Sequence, residues 1–463
     1  MANSQDTDRN EHRDQPTTLV IAGANGDVTR RLLLPGLGEV LTLEPGREVT
    51  VIGTARSEDP TWSETVRESF ASVDAHGPAV ERACKTTRYI EGDTTDPEDL
   101  NDLLEATEGR VLLYFALPPA VTEKALHALA EVDRPDDLWI ALEKPIGTDR
   151  ESAASLNRAV GRIVPEDRIF RVDHFLGMPA VLDLVGLRLA NRILEPLLNR
   201  DQVGGIEIVF EETLGLEGRA DFYEGTGAIR DMLQSHLLQV MGVLMMNAPA
   251  ALDDDEIPAL IAHVLRHTRP AGTVQETTVA GRYTAGSVDG RELPDYVAEE
   301  GVDPELRTET FGQLTVEVDT WRWNGVPVTL RSGKAVGNPR QEIMVHFKPA
   351  PHDYDNYGSC APNTLRMGFE NAEITLEINA GGPYDARGLS RLSLTSSTGP
   401  QPLSAYGNVI RWLLDGNPAF SVSGTAAEQG WRIVQPAVDA IAAGEVALQD
   451  YPAGSSGPRK PIA

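Results

Sequence analysis

Apolar residues follow two different rhythms along the chain, and the change near residue 176 divides it. From residue 17, the continuous apolar runs TTLVIAG, REVTVIGTA, RVLLYFAL, LWIALEKP and RIFRVDHFLG alternate with stretches of helical period such as TRRLLLPGLGEVL and AVTEKALHALAEV. Buried strands spaced by amphipathic helices are what a parallel sheet covered on both faces requires, so residues 17–176 predict a doubly wound α/β domain. Beyond it, PAVLDLVGLRLANRILEPLLN and IRDMLQSHLLQVMGVLMM read as long helices. After about residue 270 the pattern becomes strand-like with turn residues between: TVQETTVAGRYTAG, QLTVEVDTWRW, VPVTLRSGKAV, EIMVHFKP, NAEITLEINA and LSRLSLTSS. These segments predict a large antiparallel sheet with helices on one face, an α+β domain over residues 177–445. The polar start, MANSQDTDRNEHRDQP, predicts a disordered tail over residues 1–16, and the Pro/Gly/Ser-rich end YPAGSSGPRKPIA a loose tail within residues 446–463.

Composition narrows the function. A chain of 463 residues with 41% hydrophobic content has room for two domains. No apolar run approaches the roughly 20 residues that a bilayer needs, and the start lacks the apolar stretch of a secretory signal, so a cytoplasmic protein without a membrane partner is expected. Cys84 and Cys360 are too few for a disulfide framework, and no Cys/His cluster has zinc-ligand spacing, so no metal is expected. A formal net charge of -29 argues against nucleic acid, whose phosphates demand clustered Lys and Arg. For an anionic ligand, a few local cations must overcome a repulsive background.

The candidate chemistry lies at strand ends. The first strand runs into IAGANGDVTRR, with Gly23 and Gly26 in the turn and a helix starting near Asp27 or Val28. Glycines there let backbone N–H groups approach a pyrophosphate, whose charge the helix N-terminus favours; a plain turn is the alternative. The second strand ends in Arg56, where NAD-binding Rossmann domains carry an acid, and an arginine pairs with a 2′-phosphate, which favours NADP. Arg31 either adds charge there or is an exposed helical arginine. YFALPPAV, with Ala116, Leu117 and Pro118, and ALEKPIG, with Lys144, close later strands, the edge where open α/β sheets bind ligands. A surface pair of Glu143 with Lys144 is the plainer reading of the second.

Asp173 and His174 follow the RIFRV strand, where adjacent side chains alternate between faces. Oxidising an alcohol by hydride transfer needs a base for the hydroxyl proton, and a histidine held in one tautomer by a carboxylate suits that role. His236 with Asp173 is the candidate pair, against a structural histidine on an amphipathic helix. Asp231, five positions before His236, stands about 140° away on an ideal α-helix, so the two share a pocket only if Asp231 opens the helix. Simple capping is its alternative.

From about residue 19 to residue 435 the chain resembles the glucose-6-phosphate dehydrogenase family, through GANGDV, GTARS, YFALPP, EKPIGTD, RVDHFLG, LANRILEPLLNRD, EGRADFYEGTGAIRDMLQSHLLQ and VPVTLRSGKA in that order. The resemblance implies a Rossmann domain followed by a β+α domain, a homodimer or homotetramer, and metal-free oxidation of glucose 6-phosphate at C1 with reduction of NADP. By position, His236 is implied as base and Asp173 as its orienting carboxylate. Lys144 would touch sugar and cofactor, Glu212, Asp231 and Lys334 the sugar hydroxyls or phosphate region, and His174 the 6-phosphate. Gly23, Gly26 and Arg56 fall in the NADP site.

Three positions depart from the family pattern. Phe175 and Met178 stand where the phosphate clamp usually has tyrosine and lysine, and Pro339 where a second basic residue follows Lys334, with Arg340 adjacent as a substitute. Each lost charge-assisted hydrogen bond is worth about 1.5 to 3 kcal/mol, or roughly ten- to a hundredfold in affinity. Two alternatives therefore stand beside the phosphorylated substrate: an unphosphorylated or other sugar, and a non-catalytic NADP-binding paralogue serving as a regulatory subunit. Retention of His236, Asp173 and Lys144 together speaks against the second.

Overall fold

Six parallel strands build the first sheet, β1 (Thr17–Ala22), β2 (Val49–Ala55), β3 (Arg88–Glu91), β4 (Arg110–Phe115), β5 (Leu138–Leu142) and β6 (Ile169–Arg171), in the order 3-2-1-4-5-6. The computed structural model describes residues 15–352, 360–370, 372–382, 384–385 and 388–458. Leu19, Val20, Ile21, Leu112, Leu113, Ile140 and Leu142 are fully buried, as central strands covered on both faces require. The apolar pattern located five of the six strands. It passed over β3, whose sequence RYIE lies at the sheet edge with its outer residues exposed and carries no apolar run. Strand order reverses between β1 and β4, the place where doubly wound sheets take a ligand.

The chain forms two compact units. The first runs to Met178 and takes back Pro249–Ala259 and Gln401–Glu428; the second holds Pro179–Ala248, Leu260–Pro400 and the chain from Gln429 onward. The returning helix Ala405–Leu414 packs on the helix Leu34–Leu43. Their backbones approach so closely that a Cβ on Gly36 would lie 2.9 Å from the Gly407 nitrogen. The last carbonyls of the returning helix, Leu413 and Leu414, accept hydrogen bonds from the buried Arg110 guanidinium at 2.9 and 2.6 Å, a charged C-terminal cap.

The second unit is built on a larger sheet. Its strands are β7 (Val203–Glu211), β8 (Thr268–Pro270), β9 (Thr278–Thr284), β12 (Phe311–Val318), β13 (Pro327–Gly333), β14 (Gln341–Phe347), β15 (Thr364–Gly368), β16 (Glu373–Ala380), β17 (Ser390–Ser397) and β18 (Leu448–Pro452); β10 (Gly286–Val288) and β11 (Arg291–Leu293) form a separate hairpin. The order is 17-16-15-14-7-13-12-9-18, with β8 beside β12. The sheet is antiparallel except for the pairs β7 with β13 and β9 with β18. Strand β7, absent from the sequence reading because VGGIEIVFE sits between helical stretches, is thus an interior strand of the sheet.

Alternation along β7 separates the two faces. Ile206, Ile208 and Phe210 lie on the apolar face, while Glu207 and Glu211 share the other with Glu342, which pairs in register with Val209. Around them that face carries Arg331, His346 and Arg366, joined to Glu211, Glu207 and Glu342.

Two expectations are corrected. The long helix expected from Pro179 ends at Leu189, and the segment that follows returns only as a single 3₁₀ turn, Glu195–Leu197. The stretch from residue 446, expected as a loose tail, forms β18, parallel to β9, with Tyr451 buried. Its composition of turn residues hid one well-packed aromatic side chain. Residues 459–463 of that expected tail, and residues 1–14 of the expected N-terminal one, lie outside the described residues.

Candidate active site

In the first unit the glycine turn after β1 is drawn tight by its own backbone. Gly23 N–H donates to Thr54 O at 3.0 Å, and its carbonyl accepts from Gly26 N–H at 3.0 Å and from the Thr29 hydroxyl at 3.1 Å. At φ +91, a Cβ on Gly23 would meet Ala116 O at 2.4 Å and the Leu117 side chain at 3.1 Å, so glycine is required for the ends of β1 and β4 to close together. Gly23, Gly26, Asp27, Ala116, Leu117 and Pro118 thus lie around the strand-order switch. The helix starts at Asp27 and winds through a π-turn, Thr29–Leu33. Arg56 is exposed at the end of β2 with no ion pair among the described residues. Arg31 is exposed, and it is Arg30 that reaches the loop after β2, through Asp59 at 3.3 Å.

Lys144 follows β5 and precedes Pro145 across a cis peptide bond. Its neighbour Glu143 is no surface partner. One carboxylate oxygen accepts from the hydroxyls of Tyr114 at 2.5 Å and Tyr406 at 3.3 Å, and burial raises the carboxyl against those hydrogen bonds and the Lys144 charge. Tyr406 also stacks on His174.

Asp173 and His174 lie past the end of β6, so strand alternation does not govern them. His174 opens a 3₁₀ turn, His174–Gly177, and Asp173 caps it by accepting from Phe175 N–H at 3.0 Å. Asp173 is buried, and burial pushes its carboxyl up to about 6 against the lowering effects of His174, the Phe175 N–H and Lys144. The Phe175 ring is buried edge-on to His174, which places the aromatic residue in packing. Gly177 lets the turn press on the returning helix: a Cβ there would lie 2.5 Å from Ala405 O, and the Asn408 amide donates to Gly177 O at 3.0 Å.

In the second unit His236 is buried on the helical segment Ile229–Leu237, which is a π-helix. Bonding from residue i to i+5, seen where Leu238 N–H returns to Leu233 O, stacks positions five apart. Asp231 and His236 therefore share one face. The 140° separation expected from α-helical geometry does not apply. Lys334 pairs with Glu212 at 2.7 Å and lies 5.2 Å from the Tyr223 ring centroid. Arg340 is placed elsewhere. Its guanidinium pairs with Glu207 at 3.1 Å and Glu342 at 3.8 Å on the charged face of the sheet, beside a groove of about 720 Å³ lined also by Arg366 and Glu373. The guanidinium proposed as stand-in for the missing basic residue stays partly exposed beside these carboxylates.

Tyr114, Tyr406 and Glu309 escaped the sequence reading. Each serves a residue distant in the chain, and although Tyr114 opens the YFALPP motif, nothing in that motif points to Glu143. Glu309 alone had a signal, an acid flanked by threonines directly before an alternating strand.

A doubly wound sheet with a glycine turn at its strand-order switch and an exposed arginine at the end of β2, together with a second unit that buries a histidine, is the architecture of a dinucleotide-dependent oxidoreductase. The family description "Glucose-6-phosphate dehydrogenase, NAD binding domain" matches residues 20–182, and "Glucose-6-phosphate dehydrogenase, C-terminal domain" matches residues 185–462. The chain belongs to the glucose-6-phosphate dehydrogenase family. It is 34% identical over 465 residues to glucose-6-phosphate 1-dehydrogenase of Aggregatibacter actinomycetemcomitans, covering 95% of this chain and 94% of that protein. Among solved structures, glucose-6-phosphate 1-dehydrogenase from Mycobacterium avium superposes with a TM-score of 0.82 at 31% identity, over 96% of each chain. A glucose-6-phosphate dehydrogenase in complex with glucose-6-phosphate superposes with a TM-score of 0.85 at 27% identity, again over 96% of each. Among the described residues no helix is long and apolar enough to cross a membrane.

Proposed function

We propose that the protein oxidises glucose 6-phosphate at C1 to 6-phosphogluconolactone and reduces NADP, the first step of the oxidative pentose phosphate pathway. The observation that carries this reading is the presence of His236, Asp173 and Lys144 in the family's motifs within a chain that matches the family along nearly its whole length. His236, as a neutral imidazole, takes the proton of the C1 hydroxyl. Asp173 holds that ring in the working tautomer and stabilises the imidazolium that forms. NADP, held by Gly23, Gly26, Asp27, Arg56 and the Ala116–Pro118 segment, supplies the acceptor for the C1 hydride when bound. Lys144 contacts sugar and cofactor, Glu212, Asp231 and Lys334 fix the sugar, and His174 takes the 6-phosphate. Arg340, which like Lys334 stands beside carboxylates, completes the substrate set as the second cation for the phosphate.

The finer assignments are a cytoplasmic location and a homodimer or homotetramer. Mixed charges on the open sheet face of the second unit suit a self-complementary contact.

The direct test follows NADPH formation by absorbance with glucose 6-phosphate and with glucose, at low and high salt. A kcat/KM for the phosphorylated sugar at least on the order of 10²-fold above that for glucose is expected, since the phosphate supplies one or more charge-assisted hydrogen bonds. Preference for glucose would move the reading to an unphosphorylated sugar. Silence with both, while NADP still binds, would leave a non-catalytic paralogue.

A further inference from the structure

The π-helix that carries Asp231 and His236 begins against a buried carboxylate that no step above uses. The first N–H groups of a helix have no partner within it. Here Ala228 N–H donates to the carbonyl of Glu309 at 3.0 Å, and Ile229 N–H to the Glu309 Oε1 at 3.0 Å. One residue from the approach to β12 thus satisfies two of the orphan donors. Gly227 makes the room, because a Cβ there would come within 2.5 Å of both carboxylate oxygens, and its φ of +71 is a left-handed conformation. Burial outweighs the Ile229 N–H and the Arg230 charge and lifts the Glu309 carboxyl to about 7. Keeping a carboxylate in so enclosed a place costs stability, which an ordinary hydroxyl cap would avoid.

The neighbours of Glu309 are tied as firmly. Thr308 accepts Gly225 N–H at 3.0 Å and donates to Glu224. Thr310 O accepts Lys334 N–H at 2.9 Å, and its hydroxyl meets that of Tyr451 at 2.9 Å, which donates to Lys334 O at 2.7 Å. Three consecutive residues therefore hold both the entrance of the helix bearing the histidine and the backbone of the lysine paired with Glu212. An ordinary helix cap is local; this one fastens the helix to the sheet.

We propose that Glu309 is a positioning residue, whose carboxylate fixes the π-helix against β12 and so sets where His236 and Asp231 stand relative to Lys334. The inference rests on the reading of His236 as the base. Loss of the tie lets the helix entrance shift while the sheet, the lysine and the nucleotide turn of the other unit stay in place. The chemical step then suffers and cofactor binding does not.

The test compares Glu309→Ala and Glu309→Gln by steady-state kinetics, with folding checked by circular dichroism. Glu309→Ala is expected to lower kcat on the order of 10²-fold, the cost of a misplacement of about 1 Å, and to leave the KM for NADP unchanged. Glu309→Gln keeps an acceptor for the Ile229 N–H and should restore kcat to within about tenfold of the parent. A folded Glu309→Ala enzyme with parental kcat overturns the proposal, as does a glutamine variant no better than alanine. Should the alanine variant not fold, Glu309→Asp decides: its shorter reach should cost kcat at unchanged KM for NADP, and a parental kcat overturns the proposal. His236→Asn runs alongside, with an expected kcat loss of roughly 10²- to 10⁴-fold. If that variant keeps full activity, the base assignment falls and this inference with it, whereas failure of the Glu309 variants alone leaves the base assignment standing.

Discussion

Tyr406 lies nearly flat against His174, ring centroids 5.1 Å apart and planes inclined by 19°, while its hydroxyl donates to Glu143 at 3.3 Å. The tyrosine therefore links the residue assigned to the sugar phosphate with the carboxylate preceding Lys144. A tyrosine face also favours a charged imidazole by about 0.5 to 2 kcal/mol. Tyr406→Leu should raise the KM for glucose 6-phosphate roughly tenfold with little change in kcat or in the KM for NADP. Tyr406→Phe keeps the stack and should retain most of the affinity. Initial rates over a range of both substrates check this; an unchanged KM in the leucine variant would remove Tyr406 from the phosphate site.

Asp173 gives a prediction that joins stability to pH. Its carboxyl is raised from the ordinary 3.8 to about 6 by burial. Between those values the native chain still holds a proton that the unfolded chain has released, so stability from this group falls as pH rises, and its full cost stands above about pH 6. Asparagine preserves an acceptor for the Phe175 N–H without the charge. Asp173→Asn should therefore be more resistant to urea than the parent at pH 8, by up to about 3 kcal/mol, with the advantage vanishing near pH 4. Its kcat should fall by on the order of 10²-fold or more, because the imidazolium loses its counter-charge. Equal urea midpoints at pH 8 would mean that the buried charge is fully compensated.

Arg56 is exposed at the end of β2 and makes no ion pair among the described residues, which leaves its guanidinium available to a 2′-phosphate. Arg56→Ser should raise the KM for NADP about ten- to a hundredfold and leave the KM for NAD nearly unchanged. Parallel kinetics with the two nucleotides decide it. A matching rise for both would assign Arg56 to the shared pyrophosphate end.

The first sheet was legible because a doubly covered parallel sheet writes itself as apolar runs and only the polar edge strand RYIE escaped, whereas the returning segments Pro249–Ala259 and Gln401–Glu428 were read with the second domain. In the second the longer strands after residue 270 were legible, but not the central β7, the short β8, β10 and β11, or the edge strand β18. β7 sits between β13 and β14, reached only because strands from distant parts of the chain flank it, and nothing in VGGIEIVFE announces that. For the site, the Asp-His and Glu-Lys-Pro motifs drew notice because they follow the ends of β6 and β5, and the roles given to them are those proposed above. What supports those residues was hidden. Tyr406 and Glu309 act across tertiary contacts, and the π-winding that aligns Asp231 with His236 depends on backbone bonding that an α-helical period does not reveal.

Strand β18 has a consequence for how the protein comes into being. Tyr451 clasps the backbone at Lys334 and the hydroxyl of Thr310, so the scaffold beneath the proposed sugar lysine is fastened by a residue 117 positions further along the chain. A nascent chain has made every residue assigned to chemistry long before that clasp exists. Competence is then withheld until β18 has been made, and a stop codon placed shortly before residue 448 would leave a product that has every proposed functional group and lacks the fastening that holds them in order.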